Sequence, residues 1–214
     1  MKRVYIIDDH PIMRMGLGSL IRGEDDLDLA GEAGSAAEGI RMVEESGPAD
    51  VALIDLSLPD RSGMELLKDF QVMAPEMLCL VISSHDEEVY AERVLRAGGK
   101  GYLMKNRAPE LLITGVRQVL AGQIYVSQEM TAKMMQVFAT GVSGAKGQIA
   151  TLTDRELEVY RAIGHGKSSR EIAGDMGISV RTVDAHRTHI KVKMGFRDAA
   201  DVAYHAIRWV ESQS

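Results

Sequence analysis

At 214 residues, 45% of them apolar and 26% charged, the chain is long enough to bury one or two cores, and its composition is that of an ordinary globular protein. No apolar stretch reaches bilayer length, residues 1–4 lead directly into a short strand-like run with no leader-type segment, and the single cysteine, Cys79, cannot form an internal disulfide; a cytoplasmic protein without a membrane partner is expected. The formal charge of −6 is unevenly spread: residues 1–121 hold 21 acidic and 13 basic residues, whereas residues 151–214 hold 9 and 10, which suggests two domains with different partners.

The first apolar run, residues 4–7, ends on the acidic pair Asp8-Asp9, and Pro11 then suits the first turn of a helix over 11–22. A second run at 27–33 is followed by helical spacing over 36–46. The third run, Val51-Ala52-Leu53-Ile54, ends on Asp55 and precedes a helical pattern at 63–72. A fourth lies at 78–82, before a helix at 87–97 closed by Gly98-Gly99, where a helix end needs a left-handed residue. A fifth at 101–104 ends on Lys105, with a helix at 108–121 beyond it. Short apolar runs alternating with helices predict a five-stranded, doubly wound parallel α/β sheet, whose ligand crevice lies past the carboxyl ends of the strands at the switch point.

Three carboxylates (Asp8, Asp9, Asp55) and one ammonium (Lys105) therefore stand at strand tips. Crowded carboxylates need a cation, and hard oxygen ligands suit Mg²⁺. The lysine would serve an anion bound to that metal, such as a phosphoryl group. Taken alone, Asp8-Asp9 reads as a solvated cap and Lys105 as a surface lysine; the convergence of all four reverses that reading.

Residues 127–140 form a short Met-rich amphipathic pattern, in which Met130, Met134 and Met135 read as a packing face. Residues 141–147 lose periodicity and read as a flexible linker. The domains are accordingly placed at 1–121 and 152–214, with a linker at 122–151. Thr153-Asp154-Arg155-Glu156 and Ser168-Ser169-Arg170-Glu171 are capping boxes that open two helices. Gly177 interrupts the second, Ser179 caps a third whose apolar stripe is Val183, His186, Ile190 and Met194, and a last helix covers 198–210. Two helices joined by a short turn containing glycine, the second of them basic, form a helix-turn-helix pattern in a small all-α domain.

The ordered set Ile6-Ile7-Asp8-Asp9-His10-Pro11, Leu53-Ile54-Asp55-Leu56-Ser57-Leu58-Pro59, Val81-Ile82-Ser83 and Gly101-Tyr102-Leu103-Met104-Lys105, followed by Leu152-Thr153-Asp154-Arg155-Glu156-Leu157, Glu171-Ile172-Ala173 and Thr182-Val183-Asp184-Ala185-His186, resembles two-component response regulators of the NarL/FixJ type. The resemblance covers nearly the whole chain. It implies a flavodoxin- or CheY-like receiver domain joined to a LuxR-type helix-turn-helix domain, hence a transcription regulator rather than an enzyme. On that resemblance, Asp55 accepts a phosphoryl group from a sensor histidine kinase. Mg²⁺ sits on Asp8, Asp9, Asp55 and the backbone carbonyl of Ser57. Lys105 and Ser83 hold the phosphoryl oxygens, and Tyr102 rotates inward afterwards as a switch. The chain departs from many receivers in having Asn106 rather than proline after Lys105.

The resemblance further implies that residues 179–194 are a recognition helix on double-stranded DNA. Arg181, Asp184, Ala185 and Thr188 are candidates for base edges, and Thr182, Arg187, Lys191 and Lys193 for phosphates. The active form is expected to be a homodimer on promoter half-sites, with the helix at 198–210 as a candidate joint. Asp184 departs from the family pattern; it could accept from cytosine or weaken binding by repelling phosphates.

Two rival readings are an orphan regulator that binds DNA without phosphorylation and an aspartate-nucleophile phosphohydrolase. The second lacks support, because the position two residues after Asp55 is Ser57 rather than a general acid. No spacing among His10, His85, His165, His186, His189 and His205 suggests a zinc site.

Overall fold

The computed structural model describes residues 1–140 and 149–212, so the expected linker at 141–147 lies outside the described residues. The chain divides into two compact units, Met1–Gln136 and Val137–Ser214. In the first, β1 (Lys2–Ile7), α1 (Pro11–Arg22), β2 (Leu27–Ala33), α2 (Ala36–Ser46), β3 (Val51–Ile54), α3 (Gly63–Met73), β4 (Leu78–Ser83), α4 (Glu87–Arg96), β5 (Gly101–Met104) and α5 (Ala108–Leu120) alternate. All strands are parallel, in the order β2-β1-β3-β4-β5.

Apolar residues run continuously along these strands because both sheet faces are covered: Val4, Tyr5, Ile6 and Ile7 are all fully buried, as are Val51, Ala52 and Ile54. On one face Val4, Ile6, Leu53, Leu80 and Ile82 form a cluster with Leu17 and Ile21 of α1 and Leu112, Val116 and Val119 of α5. On the other, Gly39 of α2 lets Ile7 and Phe70 of α3 approach closely. β1 begins at Lys2, earlier than its apolar run, since the extended backbone of Lys2 and Arg3 pairs with Leu27 and Asp28 of β2 while their polar side chains reach Asp50 and Pro48 outside the core.

The chain leaves β1 for β2 and returns to pair β3 on the other side of β1, so the switch point lies between β1 and β3. Their ladder ends with Ile7 opposite Ile54, and the Asp55 amide donates to the Ile7 carbonyl at 2.8 Å. That pairing delivers Asp8 and Asp55 side by side. Beyond α5, α6 (Gln128–Thr140) follows the Met-rich pattern; Met130 is buried, but Met135 is 67% exposed and so lies off the expected packing face.

The second unit contains α7 (Asp154–Gly164), α8 (Ser169–Asp175), α9 (Val180–Lys193) and α10 (Ala199–Glu211). Both capping boxes are complete, with side chain and backbone reciprocating at Thr153/Glu156 and at Ser168/Glu171. Gly177, at φ 62°, makes the turn between α8 and α9. Leu157, Tyr160, Ile163, Ile172, Val183, Ile190, Val202 and Ala206 are buried, and the Tyr160 ring lies 5.6 Å from that of Trp209.

Gly63 opens α3 with its amide bonded to the Leu56 carbonyl at 3.0 Å, and a Cβ there would collide with the Asp55 carbonyl oxygen and come within 2.7 Å of Leu56 Cα. Gly63→Ala is expected to lose about 1–3 kcal/mol in urea denaturation. Gly16→Ala, at a helical position with nothing within 4 Å of the added carbon, should be neutral or slightly stabilising. Equal midpoints for the two variants would overturn the close packing of Gly63 against Asp55 and Leu56.

Candidate functional site

The tips of β1, β3 and β5 bring Asp8, Asp55 and Lys105 into one buried triad, 1%, 2% and 7% exposed. Lys105 Nζ lies 2.8 Å from Asp8 Oδ2 and 2.7 Å from Asp55 Oδ2. Two carboxylates around one ammonium leave an excess negative charge in a poorly solvated place. Burial raises the Asp55 carboxyl above its ordinary range; Lys105 pulls it down, and the neighbouring Asp8 charge adds to the rise. Burial works against the Lys105 ammonium, yet its bonds to Asp55 and Asp8 outweigh this and hold its pKa above the usual lysine value. Asp9 is half-buried at the mouth of the site.

Spacing among histidines had given His10 no ligand role, but its imidazole joins the cluster. Nδ1 lies 3.4 Å from Asp8 Oδ1, it pairs with Asp9, and the His10 amide donates to Asp8 Oδ1 at 2.8 Å. One possible ligand atom each from Asp8, Asp9, His10 and Asp55 falls within 4.8 Å of all the others. This donor set, mostly hard oxygen with excess negative charge, fits Mg²⁺.

Beyond Asp55, Ser83 is fully buried at the end of β4, its Oγ accepting from the His85 amide at 3.2 Å. Tyr102, expected to turn inward only after phosphorylation, is already inside: it is 1% exposed and its hydroxyl donates to the His85 carbonyl at 2.7 Å. A buried carbonyl needs a donor, and Tyr102 supplies it. Burial raises the Tyr102 pKa, so the hydroxyl stays protonated. His85, to which the sequence reading assigned no role, is thus the meeting point of this side of the site. Its Nε2 lies 3.2 Å from Ser57 Oγ and its ring 4.9 Å from that of Tyr90. The only sequence signal for it was its place two residues after Ser83.

In the second unit α9 turns Arg181, Thr182, Asp184, Ala185 and Thr188 to solvent, while Arg187 and Lys191 are half-buried. His189 and Val192 share that exposed surface, although apolar periodicity had singled out neither. Asp184 Oδ1 accepts from Ser169 Oγ at 2.9 Å, bracing α8 against α9. Lys193 Nζ lies 2.6 Å from Oε2 of the buried Glu156, so this ammonium already has a partner within its own domain. Burial tends to raise the Glu156 carboxyl, but Lys193 and the Thr153 cap hold it below the usual range.

Residues 4–117 match the family model of the response regulator receiver domain, and residues 150–206 match that of the luxR family of bacterial regulatory proteins. The chain is 33% identical over 214 residues to the oxygen regulatory protein NreC of Staphylococcus aureus, covering 96% of this chain and 97% of that one. Its fold resembles that of RcsB from Salmonella enterica serovar Typhimurium, solved bound to the promoter rprA in the presence of the phosphomimetic BeF3⁻. The TM-score is 0.70 at 22% identity, with 96% of this chain and 98% of that chain covered. A LuxR-family two-component response regulator from Aurantimonas sp. SI85-9A1 aligns over 65% of this chain and 99% of its own, at 27% identity and TM-score 0.60. No helix among the described residues is long and apolar enough to cross a membrane.

The Asp55 carboxyl, raised above 3.8, binds its proton more tightly in the folded than in the unfolded chain. Its contribution to stability is therefore complete below the unfolded value and is lost as pH rises through the folded one. In metal-free buffer, the stability of Asp55→Asn relative to wild type should increase from pH 4 upward, measured as paired denaturation midpoints. A wild type that instead gains on the variant with rising pH would show that Lys105 outweighs burial.

Proposed function

Because the chain belongs to the response regulator receiver family and carries a luxR-family regulatory domain behind the receiver, we propose that it is a transcriptional response regulator switched by phosphorylation of Asp55. The observation that carries this reading is the buried Asp8–Lys105–Asp55 triad at the β1/β3 switch point. A carboxylate is a competent nucleophile towards phosphorus. A sensor histidine kinase is the proposed phosphoryl donor, and the product is an aspartyl-phosphate. Asp8, Asp9, Asp55 and the Ser57 carbonyl would hold Mg²⁺, which, when bound, supplies charge neutralisation to the transferring group.

Lys105 is positioned to follow the charge: its ammonium, now on Asp55 Oδ2, can pass to a phosphoryl oxygen while keeping Asp8. Ser83 offers a buried hydroxyl at the next strand tip. Ser57 stands where a phosphohydrolase of this nucleophile type would need an acid, and its hydroxyl faces His85, so turnover of small phosphate esters is not part of the proposal. The protein is read as non-enzymatic and cytoplasmic, with domains at 1–121 and 152–214.

In the second domain α9 is proposed as the recognition helix, with Arg181, Asp184, Ala185 and Thr188 towards base edges and Thr182, Arg187 and Lys191 on phosphates. Lys193, paired with Glu156, would have to leave that partner to reach DNA. Asp184, held by Ser169, serves the helix-turn-helix brace before any base contact. Exposed Tyr204 and Ile207 give α10 an apolar edge suited to the proposed homodimer on two half-sites.

Intact mass after incubation with a small phosphodonor and Mg²⁺ should show one added phosphate on wild type and none on Asp55→Asn, and the variant should lose phosphodonor-stimulated DNA binding. Full stimulation in the variant would overturn Asp55 as the switch, whereas no added phosphate on wild type, under conditions that phosphorylate a control receiver, would support the orphan reading. Arg187→Ala should weaken binding across sequences and reduce the slope of log affinity against log salt by about 1. An unchanged slope removes Arg187 from the phosphate contacts.

A further inference from the structure

The first turn of α2 is capped from two places. Its own Ser35 accepts from the Glu38 amide at 3.2 Å, as an ordinary N-cap does. The next two amides are satisfied from another loop: Asp60, between β3 and α3, accepts from Ala36 N through Oδ1 at 3.0 Å and from Ala37 N through Oδ2 at 2.8 Å. Asp60 Oδ1 also accepts from the Arg61 amide at 3.1 Å, which fixes the carboxylate relative to its own loop. The side chain sits at the surface, yet both its oxygens are committed to backbone amides at a helix N-terminus, the end that favours negative charge. Burial alone would raise this carboxyl; the surrounding amides hold it below its ordinary range.

The two loops joined by this contact are not arbitrary. Asp60 lies five residues after Asp55 and three after Ser57, on the loop proposed to present two of the metal ligands, and the Gly63–Leu56 bond closes that loop behind it. α2 begins immediately after Ala33-Gly34-Ser35. The Ala33 carbonyl accepts from the Asp8 amide at 3.1 Å, and the Gly34 amide is held by Glu38 at 2.7 Å. A continuous path of hydrogen bonds therefore runs from Asp8, through Ala33 and the start of α2, across Asp60 to the Asp55–Ser57 loop. It adds a second connection, outside the sheet, to the β1/β3 ladder that already joins the two ligand-bearing tips.

We infer that Asp60 is a positioning residue for the divalent-cation site, setting the spacing between the Asp8/Asp9 loop and the Asp55/Ser57 loop by clamping the latter to the first turn of α2. Asp60 does not touch the cation; it acts as an outer partner that orients the groups that do. The inference rests on the cation site proposed above, and its test separates the two.

The full-length chain is titrated with Mn²⁺ as an electron paramagnetic resonance probe, followed by competition with Mg²⁺, for wild type, Asp60→Ala, Asp60→Asn and Ser35→Ala. Wild type should bind one Mn²⁺ that Mg²⁺ displaces. Asp60→Ala should weaken Mn²⁺ binding about tenfold, the low end of what outer partners contribute. Asp60→Asn, which keeps one acceptor oxygen, should fall between the two, and it carries the test if the alanine variant does not fold. Ser35→Ala removes a cap from the same helix without touching the β3–α3 loop, so it should lower the melting temperature while leaving Mn²⁺ affinity within about twofold of wild type. Unchanged affinity in both Asp60 variants, or an equal loss in Ser35→Ala, would reduce Asp60 to a helix cap and overturn the inference. A wild type that binds no Mn²⁺ would sink the cation site itself, and the inference with it.

Discussion

The Lys105 ammonium between Asp8 and Asp55 is the constraint around which the receiver unit is arranged. Burying two carboxylates and one ammonium is costly, and their mutual attraction recovers that cost only when the geometry is held closely. Here it is held by strand pairing. Asp8 and Asp55 follow the paired residues Ile7 and Ile54, and Lys105 follows β5, at the edge of the same parallel sheet. The charge balance is deliberately incomplete in physical terms: one positive group faces two negative ones, so the folded chain carries an unfilled demand for positive charge. That demand suits the proposed divalent cation and, through it, a phosphoryl group; the Asp55 carboxyl is raised first by its burial, with the neighbouring Asp8 charge adding a smaller push.

Much of this was legible in the sequence, because the signals were of the kind that burial enforces. Strands covered on both faces must be apolar throughout, so the punctuation at Asp8, Asp55 and Lys105 marks their tips, and the two capping boxes mark helix starts by chemistry that has few other uses. What stayed hidden was set by tertiary geometry. β1 starts at Lys2, whose backbone pairs while its side chain remains polar, so periodicity does not register it. His85 and His10 sit in the site through loop conformation rather than spacing, and Asp60 reads as a plain turn residue until α2 is seen to need its oxygens. Lys193 is a case of a different kind: a lysine on a basic helix reads as a phosphate ligand, and only the fold reveals that it already pairs with the buried Glu156.

The two units use charge in contrasting ways. In the receiver unit, charge is buried and under-compensated. In the second unit it is used to lock helices together before any DNA is met. Glu156 caps α7 and receives Lys193 from α9, and Asp184 of α9 receives Ser169 from α8. Pairing these groups internally keeps the helix-turn-helix rigid, and a rigid recognition helix has less conformational freedom to lose on binding. It also makes the exposed surface of α9 less basic than its sequence suggests, since the Lys193 ammonium is taken up by Glu156, and of the basic residues proposed for phosphates it leaves Arg187 and Lys191.

The inward position of Tyr102 bears on how the proposed switch can work. Its hydroxyl satisfies the His85 carbonyl, and the same residue's amide bonds Ser83 while its ring faces Ser57. Turning Tyr102 outward would break its hydrogen bond to the buried His85 carbonyl. The inward form is therefore accessible without a phosphoryl group. On this account, phosphorylation need not create a new arrangement. A phosphoryl group on Asp55 that engages Ser83 can only shift the balance between arrangements by as much as it binds one better than the other. The size of that shift is then set by how firmly His85 already holds Ser83 and Tyr102 together. Changes at His85 should accordingly alter the basal level of the switch more than its chemistry, which remains with Asp55 and Lys105.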